Sequence, residues 1–252
     1  MTEATDVSSA PVDGKRPSDS LWLYLLFALL ATAGFFYINI MSAIVDGLIT
    51  GLGFSNTEAG MVGSANIYGA SIGSLAAVFI VRHVEWRPAL GILFALLMAI
   101  DLGSTLVADP LMLTIVRAGH GFIGGMSVGI VYSVMARLSS PDRAFGMLLV
   151  LQFGLGGLGV MFLPLLVPVY GTQILFYVLA ALTALALVSM LAIPSTLGRN
   201  RSKAELAAIP ADYRKLTVIL ALLALFLFQA GNMSLAAFII RLGEDASLSR
   251  DF

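Results

Sequence analysis

Arg117, His120, Gly124 and Ser127 follow one another at i, i+3, i+7 and i+10, the spacing that gathers side chains on one stripe of an α-helix. They sit within the apolar run 111–137, LMLTIVRAGHGFIGGMSVGIVYSVMAR. Arg117 lies about seven residues past Pro110, hence about 10 Å along a helix that rises 1.5 Å per residue. In a hydrocarbon layer about 30 Å thick that is nearer the middle than the edge. A charge there costs about 2.5–3.5 kcal/mol on insertion scales unless a counter-charge or a wet cavity meets it. The stripe therefore shows a cation, a titratable ring and small residues to something other than lipid. His120 is a candidate proton site, because small shifts carry an imidazole through physiological pH. A hydrogen bond to a neighbouring helix explains a lone membrane histidine nearly as well. The second histidine, His83, falls in a loop, so no two-histidine relay is expected in the membrane.

Two carboxylates could answer Arg117. Asn39, Ser42 and Asp46 form a polar stripe at i, i+3, i+7 in the outer half of the first apolar span. If it faces Arg117 and His120, the two stripes line a cavity open to one side, and Asp46 is the favoured partner. Asp101, about six residues from the outer end of its own span, is close in depth across a tight turn and is the rival. Each acid also reads as an ordinary residue at a wet helix end. Gly125-Met-Ser127-Val-Gly129 matches the serine-hydrolase pattern G-x-S-x-G, but that chemistry needs a strand-to-helix elbow and a base in reach. Here the serine lies inside a membrane helix, and His120 is about two turns away on the same helix, so no enzyme is expected.

These residues are carried by a chain of 252 residues that is 59% hydrophobic and 12% charged, with a mean hydropathy of +0.95. A soluble domain holds about 25% charged residues, so the composition is that of an integral membrane protein with the lipid bilayer as its surroundings. There is no cysteine, which excludes disulfides and thiolate metal sites. Nucleotide motifs and metal-ligand clusters are likewise missing from the sequence, so neither a cofactor nor an ATP-driven pump is expected, and no nucleic-acid partner. Residues 1–20 are polar and mixed in charge and read as a disordered tail.

Seven apolar spans are predicted at about 21–45, 58–81, 88–107, 110–136, 143–168, 172–193 and 215–240, an all-α polytopic helical bundle. Ser55-Asn-Thr-Glu58 is a capping box opening the second. Prolines at the first turn open the third, fourth and fifth, at Pro88, Pro110 and Pro141. Lysine and arginine lie at the N-terminus and on connections 2–3, 4–5 and 6–7, and are missing from the other three. The positive-inside rule then makes the N-terminus cytoplasmic in a plasma (inner) membrane protein. This inside N-terminus, with no lysine in residues 216–240, argues against a retinal-type seven-helix receptor. Residues 194–214 read as a cytoplasmic linker with a capping pattern, Ser202-Lys-Ala-Glu205, between a six-helix bundle at 21–193 and the start of a second unit at 215–252. Phe36, Met41 and Ser42 recur as Phe228, Met233 and Ser234, with Asn39 and Asn232 close by, a faint parallel repeat of the kind transporters use. The polar ending Ser249-Arg-Asp-Phe252 resembles the start of a further span and suggests a fragment. Gly69 and Gly73, in an every-fourth-residue stripe with Ala65 and Ala77, and Gly124 are expected at close helix contacts. Gly154 to Gly159, with Pro164 and Pro168, suggests a bendable fifth span.

The fourth span resembles the arginine motif of the major facilitator superfamily. Arg117-Ala-Gly-His120-Gly121 fits R-x-x-Q-G with histidine in place of glutamine, and Gly124-Gly125 follow. Six spans, a long basic linker and a seventh span resemble that family's first bundle and the start of its second. The family's loop between spans 2 and 3, G-x-x-x-D-R-x-G-R-R, corresponds to Val78-Phe-Ile-Val-Arg82-His83-Val-Glu85-Trp86-Arg87. Only Arg87 matches plainly, with Arg82 and Glu85 the other candidates for a gating latch. The fifth span lacks the Gly-Pro dipeptide associated with antiporters, which tilts the expectation toward uptake or symport. The resemblance implies a secondary transporter of a small solute by alternating access, with spans 1 and 4 lining the cavity. Arg117 would bind an organic anion or hold a coupling carboxylate, with protons as a coupling ion. The alternative is a non-transporting membrane sensor or scaffold on the same fold. Arg117→Ala is expected to abolish coupled uptake and leave folding largely intact, and these 252 residues alone are not expected to complete a transport cycle.

Overall fold

The computed structural model of the protein describes residues 20–193 and scattered positions from 216 to 246. The tail before residue 20, the linker 194–214, Asn232, Met233 and Ser234 of the repeat, and the ending Ser249 to Phe252 lie outside the described residues. The helices given by the described residues are α1 Leu21–Asn39, α2 Met41–Leu52, α3 Asn56–Ile80, α4 Trp86–Ser104, α5 Pro110–Met135, α6 Pro141–Tyr170, α7 Gln173–Ser189 with a 3₁₀ turn Met190–Ala192, and α8 Ile239–Asp245. Among the described residues there is no strand, and six helices are long and apolar enough to cross a membrane. The molecule is an all-α, multi-pass membrane protein. Of the predicted seventh span, helical positions such as Leu216 and Phe228 are described, and a continuous helix is described at α8.

Local chemistry sets the helix ends. Ser55 Oγ accepts from the Glu58 N–H while Glu58 returns a carboxylate to the Ser55 N–H, so the capping box opens α3. Asp109 caps α5 by accepting from the Met112 N–H at 2.8 Å, with Pro110 in the first turn. Gly53, at φ 72°, closes α2 in the left-handed conformation that glycine adopts without a Cβ clash, and the next N–H, of Phe54, reaches back to Leu48 O.

The first span differs from the expected single helix. It is interrupted at Ile40, at φ −107° and ψ 19°, and continues as α2 to Leu52. Hydrogen bonds from Ile40 N to Phe36 O and from Ile44 N to Ile40 O span the break. α6 runs through both Pro164 and Pro168, and Gly159 lies directly under the Ile40 side chain, so this glycine makes room for the break in the first span.

Two apolar cores fill the bundle. One joins Leu23 to Ala33 of α1 with Leu90, Phe94 and Leu97 of α4, Ile130 to Met135 of α5 and Ala186 of α7, at the end whose loops carry Arg82, Arg137 and Arg143. The other joins Phe36 to Leu48 with Leu113 of α5, Leu163 and Val167 of α6, and Leu175 to Leu179 of α7, toward the opposite, non-basic end. Large apolar side chains such as Ile72, Leu75, Phe79, Leu149 and Phe153 cover the outside, as a hydrocarbon surrounding requires. α3 and α5 touch backbone to backbone. A Cβ at Gly69 or Gly73 would collide with the carbonyls of Ala118 or Phe122, and one at Gly121 or Gly125 with those of Asn66 or Ala70. This is the small-residue contact that lets membrane helices approach where apolar burial gives no drive. Gly124 makes a different contact, against the Gly34 carbonyl of α1.

Candidate functional site

α4 ends at Ser104 and α5 begins at Pro110, so a short turn folds the last residues of one helix beside the first turns of the next. That geometry brings Asp101 and Arg117 to one depth. Arg117 Nη1 donates to Asp101 Oδ1 at 2.6 Å, and neither side chain is more than 1% exposed. The guanidinium also lies 4.4 Å from the ring centre of Phe176 on α7 and 5.3 Å from that of Tyr37 on α1. Aromatic faces attract a cation whose water has been removed. Four helices thus enclose one ion pair, α1 and α7 through rings, α4 and α5 through charge.

His120 shares the same carboxylate oxygen, its Nε2 lying 3.3 Å from Asp101 Oδ1. On the other side of the ring, Asn66 Nδ2 of α3 lies 2.9 Å from His120 Nδ1 and donates to Arg117 O at 3.2 Å. Several polar atoms of the cluster make no hydrogen bond among the described residues. They are Asp101 Oδ2, Arg117 Nε and Nη2, and Tyr37 Oη. Asp101 thus meets two cationic or ionisable partners through one oxygen, Oδ1.

The expectation that Asp46 answers Arg117 is not met. Asp46 lies beyond the break at Ile40, on α2, and its Oδ1 is 3.1 Å from Arg241 Nε of α8. Asp101 is the partner because the α4–α5 turn holds it at the arginine's depth. The expectation that Arg117 walls an open cavity fails as well. Arg117 is fully buried and His120 is 4% exposed, because the stripe they share with Gly124 and Ser127 faces α1 and α4 inside the bundle. Ser127 donates its hydroxyl to Gly124 O of its own helix.

Other predicted residues go to separate places. Asn39, last residue of α1, accepts from Gln152 Nε2 of α6 at 3.1 Å. Ser42 is buried in α2. In the α3–α4 connection, Arg82 and Glu85 are exposed, whereas Arg87 donates to the carbonyls of Ile193 and Met190 at the end of α7. Within the described residues Arg87 therefore ties off a helix end of its own bundle, as a cation at a helix C-terminus does. Asn66, Gln152, Tyr37, Phe176 and Arg241 were not anticipated. The two amides were readable, since each interrupts an apolar span and Asn66 shares the Gly69 and Gly73 stripe. The aromatics carry no such mark in a chain with 15 phenylalanines and 7 tyrosines.

A family model described as Major Facilitator Superfamily matches residues 24–250. No curated protein matches the chain.

Proposed function

The chain belongs to the major facilitator superfamily, and from that premise we propose that it moves a small solute across the membrane by alternating access, coupled to protons at Asp101, Arg117 and His120. The family makes it a transporter in general terms; the coupling is our reading of the cluster. One observation supports it. A single buried carboxylate oxygen is shared by an arginine and a histidine. Charges kept inside a membrane bundle are expensive and mark ion or proton pathways by default, and apolar residues of similar volume would often hold such a site together as well or better. Protonating Asp101 removes the charge that holds Arg117. The guanidinium is then left with two rings and whatever anion or water can reach it, so proton loading changes how α4 and α5 are held to α1 and α7. The Arg117 side chain has no exposed surface, which withdraws the support a cavity arginine lent to an organic-anion cargo. In this reading the N-terminus and the arginine-bearing loops are cytoplasmic in a plasma (inner) membrane, and the cluster lies in the outer half of the bundle.

The test is accumulation by the full-length protein in liposomes containing a pH-sensitive dye, with a panel of labelled small carboxylates and neutral solutes. The parent accumulates one of them when a pH gradient is imposed. Asp101→Asn equilibrates that solute without accumulating it, and His120→Gln, the residue type of the family motif, reports whether the histidine is needed. Accumulation by Asp101→Asn at the parent's level would sink the proposal. Solute binding without any accumulation by the parent would mark a sensor instead.

A further inference from the structure

We infer that Asn66 fixes the tautomer of His120, holding its proton on Nε2 toward Asp101 and keeping Nδ1 as the atom at which a further proton enters. The argument starts from an atom with no choice. The Arg117 carbonyl can only accept a hydrogen bond, so the end of the Asn66 amide 3.2 Å from it is the NH2 group. The same nitrogen lies 2.9 Å from His120 Nδ1. A ring nitrogen facing a donor must itself accept, so Nδ1 carries no proton in this arrangement. A neutral imidazole then holds its single proton on Nε2, 3.3 Å from Asp101 Oδ1, where it donates to the carboxylate.

Among the described groups around His120, Asn66 is the one bonded to Nδ1. α1 contributes Tyr37, whose ring centre is 5.7 Å from that of the imidazole. α4 contributes Asp101, and α5 itself contributes Arg117, already engaged with Asp101. Asp101 accepts from Nε2–H in the neutral ring and in the imidazolium alike, so it favours the same tautomer but offers nothing against a further proton at Nδ1. Asn66 does. When a proton binds the Nδ1 lone pair, two donors face each other, and the amide must turn over to present Oδ1. Turning it over removes the NH2 group from Arg117 O. The imidazolium can then pass its Nε2 proton to Asp101 Oδ1, which leaves a neutral ring protonated on Nδ1 and a neutral carboxylic acid. One proton has entered and one bond to each nitrogen has exchanged, with no other reactant. Asn66 is in this sense a positioning residue, acting through His120.

The inference rests on the cluster being the proton site, but its test needs no solute movement. The full-length protein carrying His83→Gln and ¹⁵N-labelled histidine is studied in lipid by solid-state NMR at alkaline pH, so that His120 is the only imidazole among the two in residues 1–252. The expected spectrum has a pyridine-like Nδ1 and a pyrrole-like Nε2. Asn66→Leu removes the donor, and the preference for Nε2–H over Nδ1–H falls by about two- to tenfold, the worth of one net hydrogen bond. A parent spectrum with the proton on Nδ1 overturns the inference outright, whatever the variant does. So does an Asn66→Leu protein whose tautomer ratio equals the parent's. A correct tautomer alongside proton-independent transport would overturn the coupling proposal alone.

Discussion

Arg117 and Asp101 hold each other in place, and removing either deprives the other, still buried, of its closest counter-charge. Loss of one partner of a buried pair costs about 3–5 kcal/mol. Arg117→Ala is therefore expected to destabilise the protein by about that amount, more than the sequence-based expectation of largely intact folding allows. The joint replacement Arg117→Met with Asp101→Leu recovers most of the loss, because apolar residues of similar volume often match a buried pair. Thermal unfolding in detergent of the two single variants and the double variant reads both statements, and additive losses would contradict them. The arginine was legible because a charge in an apolar run has to be answered. Which acid answered it was not. Helical spacing shows which residues share a face of one helix and is silent on the neighbour that face meets. Asp46 and Asp101 both fitted the depth, and the α4–α5 turn decided between them.

At the scale of the helix, α3 and α5 form one element in practice. Their glycines meet the partner's backbone carbonyls, with Ser74 Oγ adding a bond to Gly125 O at 3.2 Å. Gly73→Leu has no flexible side chain to push aside and is expected to cost about 1–3 kcal/mol or more through forced separation of the helices. Gly154→Ala on α6, with no described residue within 4 Å of the new methyl, costs nothing and gains at most about 1 kcal/mol from alanine's helix propensity. Melting temperatures of the two variants make the comparison, and equal shifts would contradict it. Most helix starts were written in the sequence, as Ser55 to Glu58 and Asp109-Pro110 show, because caps are local chemistry. The break at Ile40 was not. No proline or glycine stands there, and the features beside it are tertiary, the Asn39–Gln152 amide contact and the room at Gly159. The α6 prolines lie inside one continuous helix, as the single span predicted there requires.

Over the whole molecule, a second ion pair joins α2 to α8. Asp46 has a side chain only 2% exposed, against 26% for Arg241, and Phe238 packs with the same non-basic-end core. Asp46→Asn is expected to loosen α8 from α2, seen as a broadened distance distribution between spin labels on the two helices. An unchanged distribution would show that apolar contact alone seats α8. Multi-pass architecture was plain from composition, and family membership from the arginine stripe with the span count. The role of Asp46 was not, because its partner lies almost 200 residues along the chain, beyond any local pattern.

The Arg117–Asp101 pair also bears on how a membrane potential would act on the bundle. An elementary charge carried across a membrane potential does work of about 2.3 kcal/mol per 100 mV. A lone arginine in the bundle would make every swing of these helices sensitive to that field. Joined to Asp101 at 2.6 Å, it forms a short dipole with no net charge, and the field exerts almost no net force on it. In the proposed proton-coupled cycle the membrane potential acts on this part of the molecule only through what the cluster picks up, so a single bound proton would be enough to make it electrically visible.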